Sequence, residues 1–253
     1  MTKRTKVVNL TAASNTLGFV IDLLGCIKAA RSINPTVIMV VDATQLAPHF
    51  PLNCLETQAD AIVGSAHKMF GPTGIGFLHL SMRMIALMQP IQVGGGMNHL
   101  VSEDTFTLVN GITRFEAGTP NIAGAIGFGA AAQYIQQVGM KEIVAHSQRL
   151  LILCRSLLAE IEPVTIHNPD ADLGIIIFSY KGISAQDLSS YLGTKGFICR
   201  AGLSCAKLIP KLIAINEFVR ISFHLYNTEA EVKKFCKVLD QFKPGEEFDV
   251  FVS

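Results

Sequence analysis

The sequence predicts an α/β protein: a large domain built on a mostly parallel sheet, then a small C-terminal α+β domain. Three observations predict it. The chain opens on a strand, helix, strand run whose second strand is a near-continuous β-branched segment. A second short apolar run ends in a glycine-rich turn. From Val164 onward, short strands alternate with helical patterns, as in a compact α+β layer. The expected division is residues 1–140 for the large domain, 141–162 for a bridging helix, 163–245 for the small domain and 246–253 for a tail.

Taken in order, Lys6-Val7-Val8-Asn9-Leu10-Thr11 reads as a strand and Ala13-Ser14-Asn15-Thr16-Leu17-Gly18 as a turn. Residues 20–33 place Val20, Leu23, Leu24, Ile27 and Ala30 at helical spacing, ending before Asn34-Pro35. Thr36-Val37-Ile38-Met39-Val40-Val41 has the signature of a strand buried on both faces. Ala59-Asp60-Ala61-Ile62-Val63-Gly64 is the next strand, and Gly74 to Leu80 another. Residues 122–138 form a small-residue helix, and residues 141–161 a long one running to Pro163. In the small domain, Gly174 to Tyr180, Phe197 to Arg200 and Val219 to His224 read as strands. Ser184 with Asp187, and Thr228 with Glu231, have the spacing of capping boxes.

Composition narrows the function classes. A chain of 253 residues that is 49% hydrophobic can bury a substantial core. A formal net charge of +1 with 16% charged residues gives no basic field for nucleic acid. Mean hydropathy is high at +0.39, yet no apolar stretch reaches the ~20 residues that cross a bilayer. No signal peptide is visible, so the expected location is cytoplasmic, without membrane partners. The six cysteines, at 26, 54, 154, 199, 205 and 236, form no C-x-x-C pair; no metal site is expected, and most are read as buried thiols.

Chemistry concentrates at Ser65-Ala66-His67-Lys68-Met69-Phe70-Gly71-Pro72-Thr73-Gly74. Lys68 falls where a strand gives way to a turn, and the ordinary alternative is a solvated surface lysine. Asp42 ends the preceding strand, where open α/β sheets bind ligands; a helix cap or turn aspartate is the alternative. An amine and a carboxylate so placed suit pyridoxal 5'-phosphate, whose aldehyde needs an amine and whose ring nitrogen needs an acid partner. The run Val93-Gly94-Gly95-Gly96-Met97 fits neither a dinucleotide fingerprint nor a phosphate loop.

Four motifs in order carry a resemblance: Val41-Asp42-Ala43-Thr44-Gln45, Ser65 to Gly74, Arg114-Phe115-Glu116-Ala117-Gly118-Thr119-Pro120-Asn121, and Arg200-Ala201-Gly202-Leu203-Ser204-Cys205-Ala206. Together they resemble the cysteine desulfurases of SufS type, class V aminotransferase relatives with the pyridoxal-phosphate-dependent transferase fold of type I. The resemblance implies that Lys68 holds the cofactor as a Schiff base, Asp42 pairs with its pyridine nitrogen and Gln45 meets its phenolic oxygen. It assigns Ser65 and His67 to the phosphate, and Thr119 to the phosphate of a neighbouring subunit in a homodimer. Asn15, Arg200 and Arg220 match substrate-carboxylate residues; a guanidinium fork suits that task, while a structural ion pair is the alternative for Arg220. Cys205 is the implied nucleophile. It would take sulfur from L-cysteine as a persulfide, leave alanine, and pass the sulfur to an acceptor protein of SufU or SufE type for iron-sulfur cluster assembly. An inert buried thiol is the alternative, expected for Cys26, Cys54, Cys154 and Cys236.

Two departures qualify the resemblance. Leu203-Ser204 stands where many relatives carry histidine. Family chains also have an N-terminal section that completes the phosphate cradle and supplies a ring stacking on the cofactor, so the chain resembles the C-terminal two-thirds of a desulfurase, with a partial large domain. The expectations are therefore a desulfurase, a related class V enzyme such as a selenocysteine lyase or an aminotransferase, or a non-catalytic fragment that dimerises or binds a partner.

Overall fold

A computed structural model describes residues 1–203 and 206–246. They form two compact units: Met1–Ala12 with Ile21–Gly139, and Ala13–Val20 with the described residues from Met140 onward.

The first unit holds β1 (Val7–Thr11), α1 (Leu23–Ile33), β2 (Ile38–Asp42), β3 (Ala61–Ser65), β4 (Gly76–Leu80), α2 (Met82–Leu87), β5 (Asn98–Val101), β6 (Phe106–Leu108) and α3 (Ile122–Val138). Its main sheet runs β1-β2-β3-β4. The first three strands are parallel and β4 is antiparallel to β3. Ten residues separate β3 from β4, fewer than the dozen or so a parallel crossover needs. A return hairpin-like path is the geometric consequence.

The expected double burial of the second strand is corrected: β2 alternates, with Met39 and Val41 fully buried and Ile38, Val40 and Asp42 half-buried. β-Branched residues pack well on either face, so their run does not by itself report coverage of both. Helix α1 starts at Asp22, whose carboxylate accepts the Gly25 N–H, and it buries Ile27 and Ala30. It stops at Asn34, whose side-chain amide donates to the Thr5 carbonyl at 2.9 Å. Asp60 is the polar anchor of this unit. Only 2% exposed, it accepts the Met39 N–H at 2.8 Å and faces Arg31 at 3.2 Å and Arg83 at 3.5 Å.

The second unit holds α4 (Met140–Ala159), β7 (Val164–Ile166), β8 (Ile175–Tyr180), α5 (Ala185–Thr194), β9 (Arg200–Ala201), α6 (Ile209–Ile213), β10 (Val219–Ser222) and α7 (Glu229–Asp240). Its sheet runs β7-β8-β10-β9 and is antiparallel throughout. Leu150, Leu151, Cys154 and Leu158 of α4 join Val232, Phe235, Cys236 and Leu239 of α7 in the core over Ile176 and Phe178. The segment Ala13–Val20 is tied to this unit by polar contacts: the Asn168 amide donates to the Leu17 carbonyl, and the Val20 N–H donates to Asp172.

Local expectations resolve in detail. Thr228 and Glu231 form the full capping box at α7. At α5 only half forms: Ser184 accepts the Asp187 N–H, but the Asp187 carboxylate turns to the Ser184 hydroxyl at 2.7 Å. Aspartate is one methylene shorter than the glutamate that normally reaches back. The expected strand at 197–200 shrinks to Arg200–Ala201. Among cysteines expected to be buried, Cys154 and Cys236 are, whereas Cys26 is exposed and Cys54 half-buried.

Asp60→Ala is expected to destabilise the first unit by about 3 kcal/mol, because it leaves a buried N–H and two guanidinium groups without their acceptor. Urea unfolding checks this, and a loss under about 1 kcal/mol would show that Asp60 is not the anchor.

Candidate active site

Register brings the first-unit candidates to one edge of the sheet. Asp42 pairs laterally with Val63, so β2 and β3 finish close together and the turn after Ser65 starts beside Asp42. A single 3-10 turn, Ala66–Lys68, follows β3 directly. It is closed by the Met69 and Gly71 N–H groups, both donating to the Ala66 carbonyl. Phe70 sits at φ 60°, a left-handed conformation that non-glycine residues rarely adopt. Its ring meets Tyr134 of α3 edge-on at 6.0 Å, a contact that holds the strained turn.

Lys68, half-buried, donates from Nζ to Gln45 Oε1 at 2.9 Å. The Gln45 amide nitrogen lies 3.3 Å from His49 Nε2. For that contact to be a hydrogen bond, Nε2 must be unprotonated, with the imidazole proton on Nδ1. Composition and motif reading missed His49. Its signal was available: Gln45 and His49 are four residues apart in a run of turns closed by i to i−4 bonds, where the Ala47 N–H donates to the Ala43 carbonyl and the Phe50 N–H to the Leu46 carbonyl. Asp42 Oδ1 accepts the Thr44 N–H at 2.9 Å, while Oδ2 makes no hydrogen bond among the described residues. Ser65 is half-buried and His67 exposed, and both flank the lysine. Amine, free carboxylate oxygen, amide, hydroxyl and imidazole thus gather at the carboxyl ends of β2 and β3. This donor set fits a cofactor with an aldehyde, a basic ring nitrogen, a phenolic oxygen and a phosphate.

Thr119 lies apart from this group. It is exposed in the turn before α3, next to Gly118, whose N–H donates to the Gly95 carbonyl. Among the described residues no hydrogen bond joins it to Lys68, Gln45 or Asp42.

Asn15, Arg200 and Arg220 come together in the second unit. Arg220 Nη1 donates to the Asn15 carbonyl at 2.8 Å. Arg220 and Arg200 are direct partners across β10 and β9. Cys205 lies outside the described residues. On either side of it, Leu203 and Ala206 pack against Ile177, Ile209 and Phe218, and the Gly202 N–H donates to the Phe218 carbonyl at 3.0 Å. The nearby thiol of Cys199 is pushed up to about 12 by burial, which keeps it protonated and unreactive.

These features match a known class. The chain belongs to the class-V aminotransferase family, whose model matches residues 1–235. It is 37% identical over 246 residues to a probable cysteine desulfurase of Ureaplasma parvum serovar 3, covering 97% of this chain and 61% of that protein. It is 36% identical over 242 residues to a probable cysteine desulfurase of Staphylococcus aureus strain COL, covering 95% of this chain and 58% of that protein. Among solved structures, it superposes on the cysteine desulfurase CsdA of Escherichia coli with a TM-score of 0.89 at 31% identity, covering 95% of this chain and 60% of that one. The apo cysteine desulfurase of Thermococcus onnurineus NA1 gives 0.88 at 34% identity, with 94% and 60% covered. The chain thus spans about 60% of the length of these relatives.

Two glycines set the lysine's position. A Cβ on Gly76 would come within 2.3 Å of the Gly64 carbonyl oxygen, whereas one on Gly64 would meet the Phe77 ring at 2.2 Å. A ring can rotate away and a paired backbone cannot. Gly76→Ala is therefore expected to cost about 2 to 3 kcal/mol and Gly64→Ala less. Thermal melts of the two variants decide it, and equal losses would contradict the backbone origin of the constraint.

Proposed function

We propose that this chain acts in a pyridoxal-phosphate-dependent cysteine desulfurase, forming L-alanine from L-cysteine while its sulfur passes to Cys205. The observation that carries this reading is Lys68 held 2.9 Å from Gln45 at the sheet edge where Asp42 ends β2. Lys68 would bind the cofactor's aldehyde carbon, Asp42 its ring nitrogen, Gln45 its phenolic oxygen, and Ser65 with His67 its phosphate. When bound, the cofactor supplies an electron sink that loosens bonds at the substrate's α and β carbons.

The chain's own residues divide the remaining work. His49 holds the Gln45 amide so that Oε1 faces Lys68. Arg220, seated on the Asn15 carbonyl, and Arg200 beside it receive the substrate carboxylate. Cys205, as thiolate, forms an S–S bond to the substrate sulfur as the carbon–sulfur bond breaks, which leaves a persulfide and alanine. In this reading the persulfide sulfur goes on to an acceptor of SufU or SufE type for iron-sulfur cluster assembly in the cytoplasm. Thr119 reaches the phosphate of a second subunit. Apolar surface on the first unit supports such a homodimer: Val101 is 63% exposed on β5 and Ile126 70% exposed on α3.

Added pyridoxal phosphate is expected to give the visible absorption of a lysine-bound cofactor, lost in Lys68→Ala. Absence of that absorption in the unmodified chain would overturn the reading that this chain holds the cofactor through Lys68. Given cofactor binding, Cys205→Ser is expected to abolish alanine formation from cysteine, and alanine formation at the original rate would remove Cys205 as nucleophile. Arg220→Lys is expected to raise KM for cysteine roughly tenfold with a smaller change in kcat, because a point charge replaces a two-bond fork. Steady-state kinetics across cysteine concentrations measure that split.

A further inference from the structure

Cys154 on α4 and Cys236 on α7 place their sulfur atoms 3.9 Å apart inside the second unit. They are separated by 82 positions in the chain, so packing of the two helices alone brings them together. Cys154 has no exposed surface and Cys236 is 4% exposed. Their environments differ in a way that divides two chemical roles. Cys236 lines a surface cavity of about 330 Å³ with Leu157, Glu160, Lys233, Lys237 and Asp240, whereas Cys154 lies outside its lining. Cys236 thus borders the cavity, and Cys154 stands behind it.

Either sulfur can donate in this contact. The neighbouring sulfur and burial push the Cys154 thiol well above the ordinary range, whereas the contact with Cys154 holds the Cys236 thiol below its own. The cavity's charged groups, two lysines and two carboxylates, balance in sign. A neutral oxidant suits that lining better than an anionic disulfide does.

We propose that Cys236 and Cys154 form a redox-active pair, with Cys236 attacked through the cavity by a small hydroperoxide and Cys154 resolving the product into a disulfide between α4 and α7. The Cys236 thiolate attacks one peroxide oxygen, the O–O bond breaks, and the departing oxygen takes a proton and leaves as water. The resulting sulfenic acid is then attacked by Cys154, which gives up its proton. The S–O bond breaks, the S–S bond forms, and a second water leaves. Two thiols and one hydrogen peroxide thus give one disulfide and two waters. The sulfurs need to close from 3.9 Å to about 2.05 Å for the bond to form.

The pair does not depend on the cofactor or on Cys205, so it is tested apart from the desulfurase reading. The full chain is treated with graded hydrogen peroxide, denatured in the presence of an alkylating agent, digested and analysed by mass spectrometry. Exposed Cys26 serves as the internal gauge of dose. The expected result is a peptide pair joined through Cys154 and Cys236, two hydrogens lighter than the separate peptides and released by dithiothreitol. In Cys154→Ala, Cys236 is expected to stop at sulfenic acid, trapped by dimedone. Three outcomes overturn the proposal: both cysteines recovered as alkylated thiols once Cys26 is oxidised, Cys236 driven to sulfinic acid with Cys154 still free, or Cys154 joined to Cys199 instead.

Discussion

The first unit is organised by the burial of one carboxylate. Asp60 precedes β3 and ties together three elements at once: the Met39 N–H on β2, Arg31 on α1 and Arg83 on α2. A carboxylate that is 2% exposed is costly to leave unpaired, so the strands and helices that satisfy it hold fixed positions. Its two guanidinium partners are themselves 28% and 38% exposed, and water shares their charge. The net contribution therefore rests as much on the backbone bond to Met39 as on the ion pairs. That bond sits at the entry to β3 and sets the register in which Asp42 stands opposite Val63.

Once register is fixed, the site needs little further construction. Asp42 and Ser65 close neighbouring parallel strands, and a single 3-10 turn then lifts Lys68 over the sheet edge. The turn is short because Gly71 can approach Ala66, where an added Cβ would sit 3.0 Å from the Ala66 carbonyl oxygen. Conformational strain collects at Phe70, two residues after Lys68, and aromatic packing against α3 offsets it. Rigidity at Lys68 and at Gln45 thus has separate sources, one in the turn and one in His49.

Much of this was legible in the chain because it is local. The α/β alternation, the limits of α3, the Thr228 and Glu231 cap and the grouping of Lys68 with Asp42 follow from spacing and from strand ends, whereas Gln45 entered only through the family resemblance. What was not legible depends on distant partners. The half-covered face of β2 depends on what packs against it, not on its β-branched residues. The antiparallel course of β4 could have been read from the short link after β3. The attachment of Ala13–Val20 to the second unit rests on Asn168 and Asp172, more than a hundred positions away, and no periodic pattern carries that information. The contact of Cys154 with Cys236 is hidden for the same reason, since each lies on its own helix as an ordinary core position.

The antiparallel pair of β9 and β10 gives the strongest physical hint of what the second unit receives. Like charges directly opposite each other across two strands are destabilising, and here Arg200 faces Arg220 at the sheet's end. The two arginines stand outside the core, to which β10 contributes Val219 and Ile221 and against which Ala201 of β9 packs. In the proposed function, a substrate carboxylate between the two guanidinium groups offsets that repulsion by charge and by paired hydrogen bonds. The Asn15 carbonyl, accepting from Arg220 Nη1, fixes one edge of that fork in advance, which under the same proposal lowers the entropy lost on binding.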